Sequence, residues 1–349
     1  MDLTLFLTGD VMTGRGVDQI LPHPGDPRLW ERYVRDARRY VGLAEEANGP
    51  VPRPVDFAWP WGDALRVVDD IAPDVRVLNL ETAVTRSDDV AKGKGVHYRM
   101  TPENLGCVTA VRPDVCVLAN NHVLDFGRRG LADTLDALHA AGVGTAGAGR
   151  DVAEAERSAV VAAGGGRVLV FSFGSGCSGV PREWAAGPGR AGVAFLPDLS
   201  TGTAERIAGV VRRERRPGDV VVFSVHWGSN WGYDIPDDQV DFAHHLIEHG
   251  VDLVHGHSSH HPRRCEVYRG KLVLYGCGDL VNDYEGIGGY EQFRDDLRAL
   301  YFPTLDPETG RLLRLRVAAV RARRMRLHKA SGEDSRHLRS VLGAEVELI

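Results

Sequence analysis

Five short apolar runs in this chain each stop at a compact polar cluster, and this repeated ending constrains the fold more than anything else in it. Leu3 to Thr8 runs into Gly9-Asp10, Val75 to Leu78 into Asn79-Leu80-Glu81, and Val115 to Ala119 into Asn120-Asn121-His122. Val220 to Val225 runs into His226-Trp227-Gly228. Val251 to Val254 opens the densest cluster, Val254-His255-Gly256-His257-Ser258-Ser259-His260-His261. Mostly apolar runs of this length read as buried strands. A parallel sheet brings the carboxyl ends of its strands to one edge, so clusters far apart in the chain are expected to meet there.

Segments of helical period lie between the runs, over Trp61 to Ile71, Pro102 to Val111, Arg129 to Ala141, Thr203 to Arg215 and Asp237 to His249. Val267 to Tyr275 reads as a hairpin about Arg269-Gly270, and Leu300 to Thr304 and Leu312 to Val320 as late antiparallel strands. Gly174 to Gly192 is glycine-rich and reads as a mobile loop. The pattern predicts an α/β fold: two mixed β-sheets packed as a sandwich flanked by helices, in a single domain over 1–349. An irregular insertion is expected at about 22–61, with one helical piece around Leu29 to Glu46, and a strand–helix extension at about 311–349.

The net charge of -6 gives no basic field for nucleic acid. Five scattered cysteines, with no CxxC pair, fit a reducing compartment and mostly small buried hydrophobes. No basic start followed by an apolar stretch, and no apolar run near membrane-spanning length, is present. A cytoplasmic protein, neither exported nor anchored, is the expectation.

Collected at one edge, Asp10, Glu81, Asn121, His122, His226, His257 and His260 combine carboxylate, amide oxygen and imidazole. That mixture suits a hard or borderline divalent cation: calcium, magnesium, manganese or zinc, with calcium or manganese favoured. The order Gly-Asp, Asn-Leu-Glu, Asn-Asn-His, His-Trp-Gly and Gly-His-x-x-His resembles the CapA-like family of capsule and poly-γ-glutamate synthesis proteins, among the calcineurin-like metallophosphoesterases. The resemblance runs from about Leu3 to Val281 and implies the calcineurin-like sandwich with a metal centre between strand ends. It places Asp10, Glu81, Asn121, His226, His257 and His260 at metal positions and His122 at the catalytic histidine. His255 matches nothing in it, and Asp279 stands where the family usually has asparagine. Where a dimetal phosphoesterase carries histidine, this chain has Met12, and Glu81 replaces the bridging aspartate. A single cation is therefore the expectation.

One cation with surplus imidazoles is equipped for proton transfer, since a neighbouring aspartate fixes a histidine's tautomer and raises its pKa. His122 with Asp125 is one pair; Asp10 or Asp279 with His257 or His260 is another. Two such pairs suit two-base epimerisation at a carbon acid. The CapA-like proteins include the lasso-peptide epimerases, so the resemblance implies a metal-dependent isomerase acting on a precursor peptide. Trp227, Trp231 and Tyr233 could receive an aromatic residue, and Arg15 and Arg99 a terminal carboxylate. Two alternatives stay open: a hydrolase of phosphoesters or γ-glutamyl amides, and a non-catalytic binding protein on a degenerate phosphatase scaffold. No nucleic-acid or membrane partner is expected.

Overall fold

The period-two alternation of the strands fixes which residues face which layer. In the computed structural model, which describes residues 2–349, the strand Leu3–Val11 sits at the centre of a nine-stranded mixed sheet. Val75–Leu80, Val115–Val117 and Gly144–Ala146 follow it in parallel on one side; on the other lies Leu297–Leu305, antiparallel to it, and then Leu312–Ala322, antiparallel to Leu297–Leu305. A seven-stranded sheet is built on Gly166–Ser175, Asp219–His226 and Leu253–His257, also parallel, with the hairpin Cys265–Tyr268 and Lys271–Leu274 at its edge. The hairpin turns on Arg269 and Gly270, both at positive φ, where glycine is at ease.

The two sheets face each other across one apolar layer. Leu3, Leu5, Leu7, Val75, Val77, Val115 and Val117 of the first meet Val168, Val170, Val220, Val222, Leu253 and Leu272 of the second. The opposite face of the nine-stranded sheet, with Phe6, Leu78, Cys116 and Phe302, packs against the helices Asp63–Ile71 and Gly127–Ala140. The outer face of the other sheet, with Leu169, Phe171, Phe223 and Val254, packs against Thr201–Glu214 and Asp237–Glu248. The result is a four-layer sandwich of helix, sheet, sheet and helix, each buried aliphatic side chain contributing about 1.5–3 kcal/mol. It is the fold expected of a calcineurin-like chain.

Toward the carboxyl ends of the strands the inner layer changes chemistry. Val220 and Val222 are succeeded on the same face by Ser224 and His226, and Leu253 by His255 and His257. In Leu3–Val11 the pairing register shifts between Leu7 and Asp10, so the parity changes: Val11 joins Phe6 on the helix side and Asp10 falls on the inner side. Gly9 permits this, since a Cβ there would lie 1.6 Å from the Gly278 carbonyl oxygen.

Several expectations change. The helical piece around Leu29 to Glu46 is confined to Arg38–Asn48; before it the chain doubles back through an Arg28–Asp36 bridge, which turns Glu31 inward onto buried Arg15 and Tyr40. Pro102 to Val111 is split into a 3₁₀ turn, Pro102–Asn104, and a single helical turn, Gly106–Thr109. Gly174 to Gly192 is no plain loop: it carries the turns Gly176–Ser178 and Arg182–Trp184 and buries Ser178 and Trp184. The last residues are built into the nine-stranded sheet, Val346–Leu348 pairing with Leu312–Ala322. Four cysteines are buried and Cys177 is exposed. No helix among the described residues is long and apolar enough to cross a membrane.

Candidate metal centre

The strand ends converge as expected, and Asp10 lies at the point of convergence. Its Oδ1 accepts from Asn79 Nδ2 at 2.7 Å and from the Ser258 amide at 3.4 Å, while its buried Oδ2 has no partner. Ser258 reaches this position at a φ of 98°, a strained conformation for a non-glycine residue immediately after His257. Two groups of potential ligands share Asp10: Asp10 with His226 and His257, and Asp10 with His260 and Asp279, the donor atoms of each within 4.8 Å of one another. His226 Nδ1 and His257 Nδ1 stand 2.8 Å apart, and His257 Nε2 is 2.9 Å from Ser224 Oγ. Glu81 completes this side, its Oε1 3.9 Å from His226 Nε2 and 3.7 Å from His122 Nε2.

The donor set fits a divalent cation. Asp10 Oδ2, Glu81 Oε2 and Asn121 Oδ1 are all buried acceptors with no hydrogen-bond partner, an arrangement that normally costs free energy. Burial and the neighbouring Asp279 charge raise the Asp10 pKa, and burial and Asp10 raise that of Glu81. Burial lowers the pKa values of His226 and His257, leaving neutral imidazoles, the ligating form. A cation would relieve the carboxylate repulsion and satisfy the orphaned oxygens. Met12, at the position where a histidine would add a nitrogen, is buried and offers neither oxygen nor nitrogen.

Two histidine–aspartate pairs stand at the site, one beside the ligand groups and one within the second of them. His122 Nδ1 is 2.6 Å from Asp125 Oδ2, three residues on in the same turn. Asn120 holds that turn by accepting from the His122 and Val123 amides. Burial lowers the His122 pKa to about 4 against the opposing pull of Asp125. Burial would raise Asp125, but His122 and Lys94 hold it low. The second pair is His260 with Asp279, Nδ1 to Oδ1 2.8 Å. Burial opposes protonation of His260, and the Asp279 charge and hydrogen bond outweigh it and raise the pKa. His257 is not paired with an aspartate as one expectation had it; it is bound to Ser224 and faces His226. His255 is closed off between Thr8 O and Ser224 Oγ, away from ligand duty.

The expected substrate contacts divide. Trp231 stacks on Tyr290 with ring centres 4.0 Å apart and sits 5.4 Å from His260, and half-exposed Tyr233 packs on His261, so both lie beside the histidine-rich turn. Trp227 does not: it is 1% exposed in the outer helix–sheet core, its Nε1 donating to Tyr275 O. Arg15 is buried and already matched by Asp283 and Glu31, its guanidinium stacked on Tyr40 and Tyr98, so it is not free to hold a carboxylate. Arg99 is committed to Asp88 and the Ser87 carbonyl and lies over Phe126.

Sequence reasoning missed three contributors. Lys94 Nζ bonds Asp125 Oδ1 and the Asn121 carbonyl beneath His122. Tyr98 packs edge-on to His122 and donates to Tyr284 Oη at 2.7 Å, and Tyr284 packs edge-on to His260, so a tyrosine pair joins the two histidines. The one available signal was that Lys94 is among only four lysines in a chain whose cations are otherwise arginine.

Comparison with known proteins gives the family of this chain. The family model described as bacterial capsule synthesis protein PGA_cap matches residues 4–284, and the chain belongs to that family. A relative called probable polyglutamine synthesis accessory protein, from Mycobacterium tuberculosis, is 54% identical over 97% of this chain and 90% of its own length. The PGA biosynthesis protein CapA of Bacillus subtilis is 23% identical over 86% of this chain and 67% of its own. A solved structure of a novel phosphatase from Mycoplasma pneumoniae aligns over 92% of this chain and 94% of its own, with a TM-score of 0.45 and 11% identity.

Proposed function

We propose that this chain is a metal-dependent hydrolase of the CapA type, cleaving an amide or phosphoester bond in the making of an acidic amino-acid polymer. The observation that carries this is the sharing of Asp10 by two ligand groups. A bound cation would supply Lewis-acid activation and a water of lowered pKa. Asp10, Glu81, His226 and His257 would hold it, with Asn121 adding an amide oxygen. His260 and Asp279 are placed for a second cation or for carrying a proton. His122, its Nδ1 fixed by Asp125, presents Nε2 toward Glu81 for proton transfer at the leaving group. The name of the mycobacterial relative supports glutamine- or glutamate-derived amides as the substrate class.

The pairs His122–Asp125 and His260–Asp279 favour a second reading, a two-base peptide epimerase holding one cation. One experiment separates the two. The metal-loaded enzyme is titrated for bound cations, then incubated in deuterated water with a γ-glutamyl amide, an aryl phosphate and a candidate precursor peptide. Two cations and released amine or phosphate support hydrolysis. One cation and deuterium at a peptide Cα overturn it in favour of epimerisation. Neither turnover nor exchange overturns both and leaves a binding protein.

A further inference from the structure

Between Glu308 and Glu333 the chain has no acidic residue and eight arginines and lysines, in a protein whose net charge is -6. Much of this run forms the strands Leu312–Ala322 and Leu327–Lys329, paired antiparallel at the edge of the nine-stranded sheet. An open cavity of about 530 Å³ lies there, lined only by Asn48, Arg321, Arg323, Arg324, His328 and Lys329. Arg321 is paired with Asp296. Arg324 spends its guanidinium on the neutral carbonyl of Pro50. Arg323 and Lys329 are exposed, and among the described residues neither side chain has an acidic or hydrogen-bonding partner. Like charges gathered this closely repel, and an anion relieves that repulsion.

We infer that this basic cavity is a second binding site, for an extended polycarboxylate chain. Arg323, immediately past the end of the strand Leu312–Ala322, carries an uncommitted planar guanidinium fork of the kind that matches a carboxylate, and Lys329 adds a second uncommitted cation in the same cavity. No tryptophan, tyrosine or phenylalanine lines the cavity to stack successive bases, which disfavours single-stranded nucleic acid. No apolar side chain lines it either, so a lipid surface would find nothing to anchor in. The choice of a carboxylate polymer rests on the function proposed above; the site itself lies outside the residues of the metal centre.

The test measures binding of the full chain to labelled γ-linked polyglutamate by fluorescence anisotropy, with single-stranded DNA and anionic phospholipid vesicles as rival probes. Polyglutamate is expected to bind most tightly, with affinity falling as salt rises. Reversal of two charges, Arg323→Glu with Lys329→Glu, is expected to weaken it at least tenfold, and the milder Arg323→Gln with Lys329→Gln to weaken it less, thermal melts confirming that both fold. Asp10→Asn is expected to leave it unchanged. Tighter binding of DNA or vesicles, or polymer binding that survives the double reversal, overturns the inference. Loss of polymer binding in Asp10→Asn also overturns it, by moving the polymer to the metal centre. An enzyme that binds polymer at the cavity yet cleaves no bond would overturn the hydrolase reading alone.

Discussion

At the residue scale, His122 and Asp125 are three apart in one turn, and such local pairs were legible because the chain has little freedom between them. Asp125→Asn is expected to lower turnover by about 10²–10⁴-fold, since the imidazole loses the charge that fixes its tautomer. Metal content, measured on the same sample, is expected to stay as in the wild type. Trp227 was misread although a signal was present. Side chains alternate along a strand, so the neighbour of inward His226 points outward with Val221, Phe223 and Val225. Trp227→Ala is therefore expected to cost about 3–5 kcal/mol of stability in denaturant unfolding, the effect of emptying a core site. A change confined to KM, with stability intact, would return Trp227 to the substrate wall. Lys94, Tyr98 and Tyr284 were not legible, because each reaches the histidines from a loop whose path no periodicity dictates.

At the scale of elements, the strands and most helices were readable from apolar period and turn residues. The insertion was not. Its first half owes its shape to Glu31 meeting Arg15, a tertiary contact that overrides local helical spacing. The register shift in Leu3–Val11 was equally hidden, yet it decides which way Asp10 points. Gly9→Ala would set a methyl group against the Gly278 carbonyl, backbone against backbone, with no flexible side chain to yield. The expected loss is at least about 3 kcal/mol, together with weakened cation binding as Asp10 is displaced. Calorimetry of folding and of metal titration on the same variant reads both.

At the scale of the whole molecule, buried acids repel in the metal-free state. The folded pKa of Asp10 is raised by burial and by Asp279, to about 7, while the unfolded chain keeps the ordinary value. The folded state thus binds the extra proton between the two values, so metal-free stability is fullest at low pH and falls as pH rises toward 7. Saturating divalent cation is expected to raise Tm most at the upper end of that window, because binding needs the carboxylate ionised. Melting curves across pH, with and without a chelator, check this; a metal-free Tm that climbs with pH over the window would contradict it.

The change of chemistry along the inner layer gives the sandwich two unlike ends. One end is shut by interlocked aliphatic side chains. The other closes on Asp10, Glu81 and Asn121 from one sheet and His226 and His257 from its partner, so a shared ion would act as a clasp across the gap. Withdrawing the ion should let the layers gape at the histidine mouth while the aliphatic end stays sealed. Amide exchange would then quicken around Val225–His226 and Gly256–His257 well before Val220 and Leu253 respond.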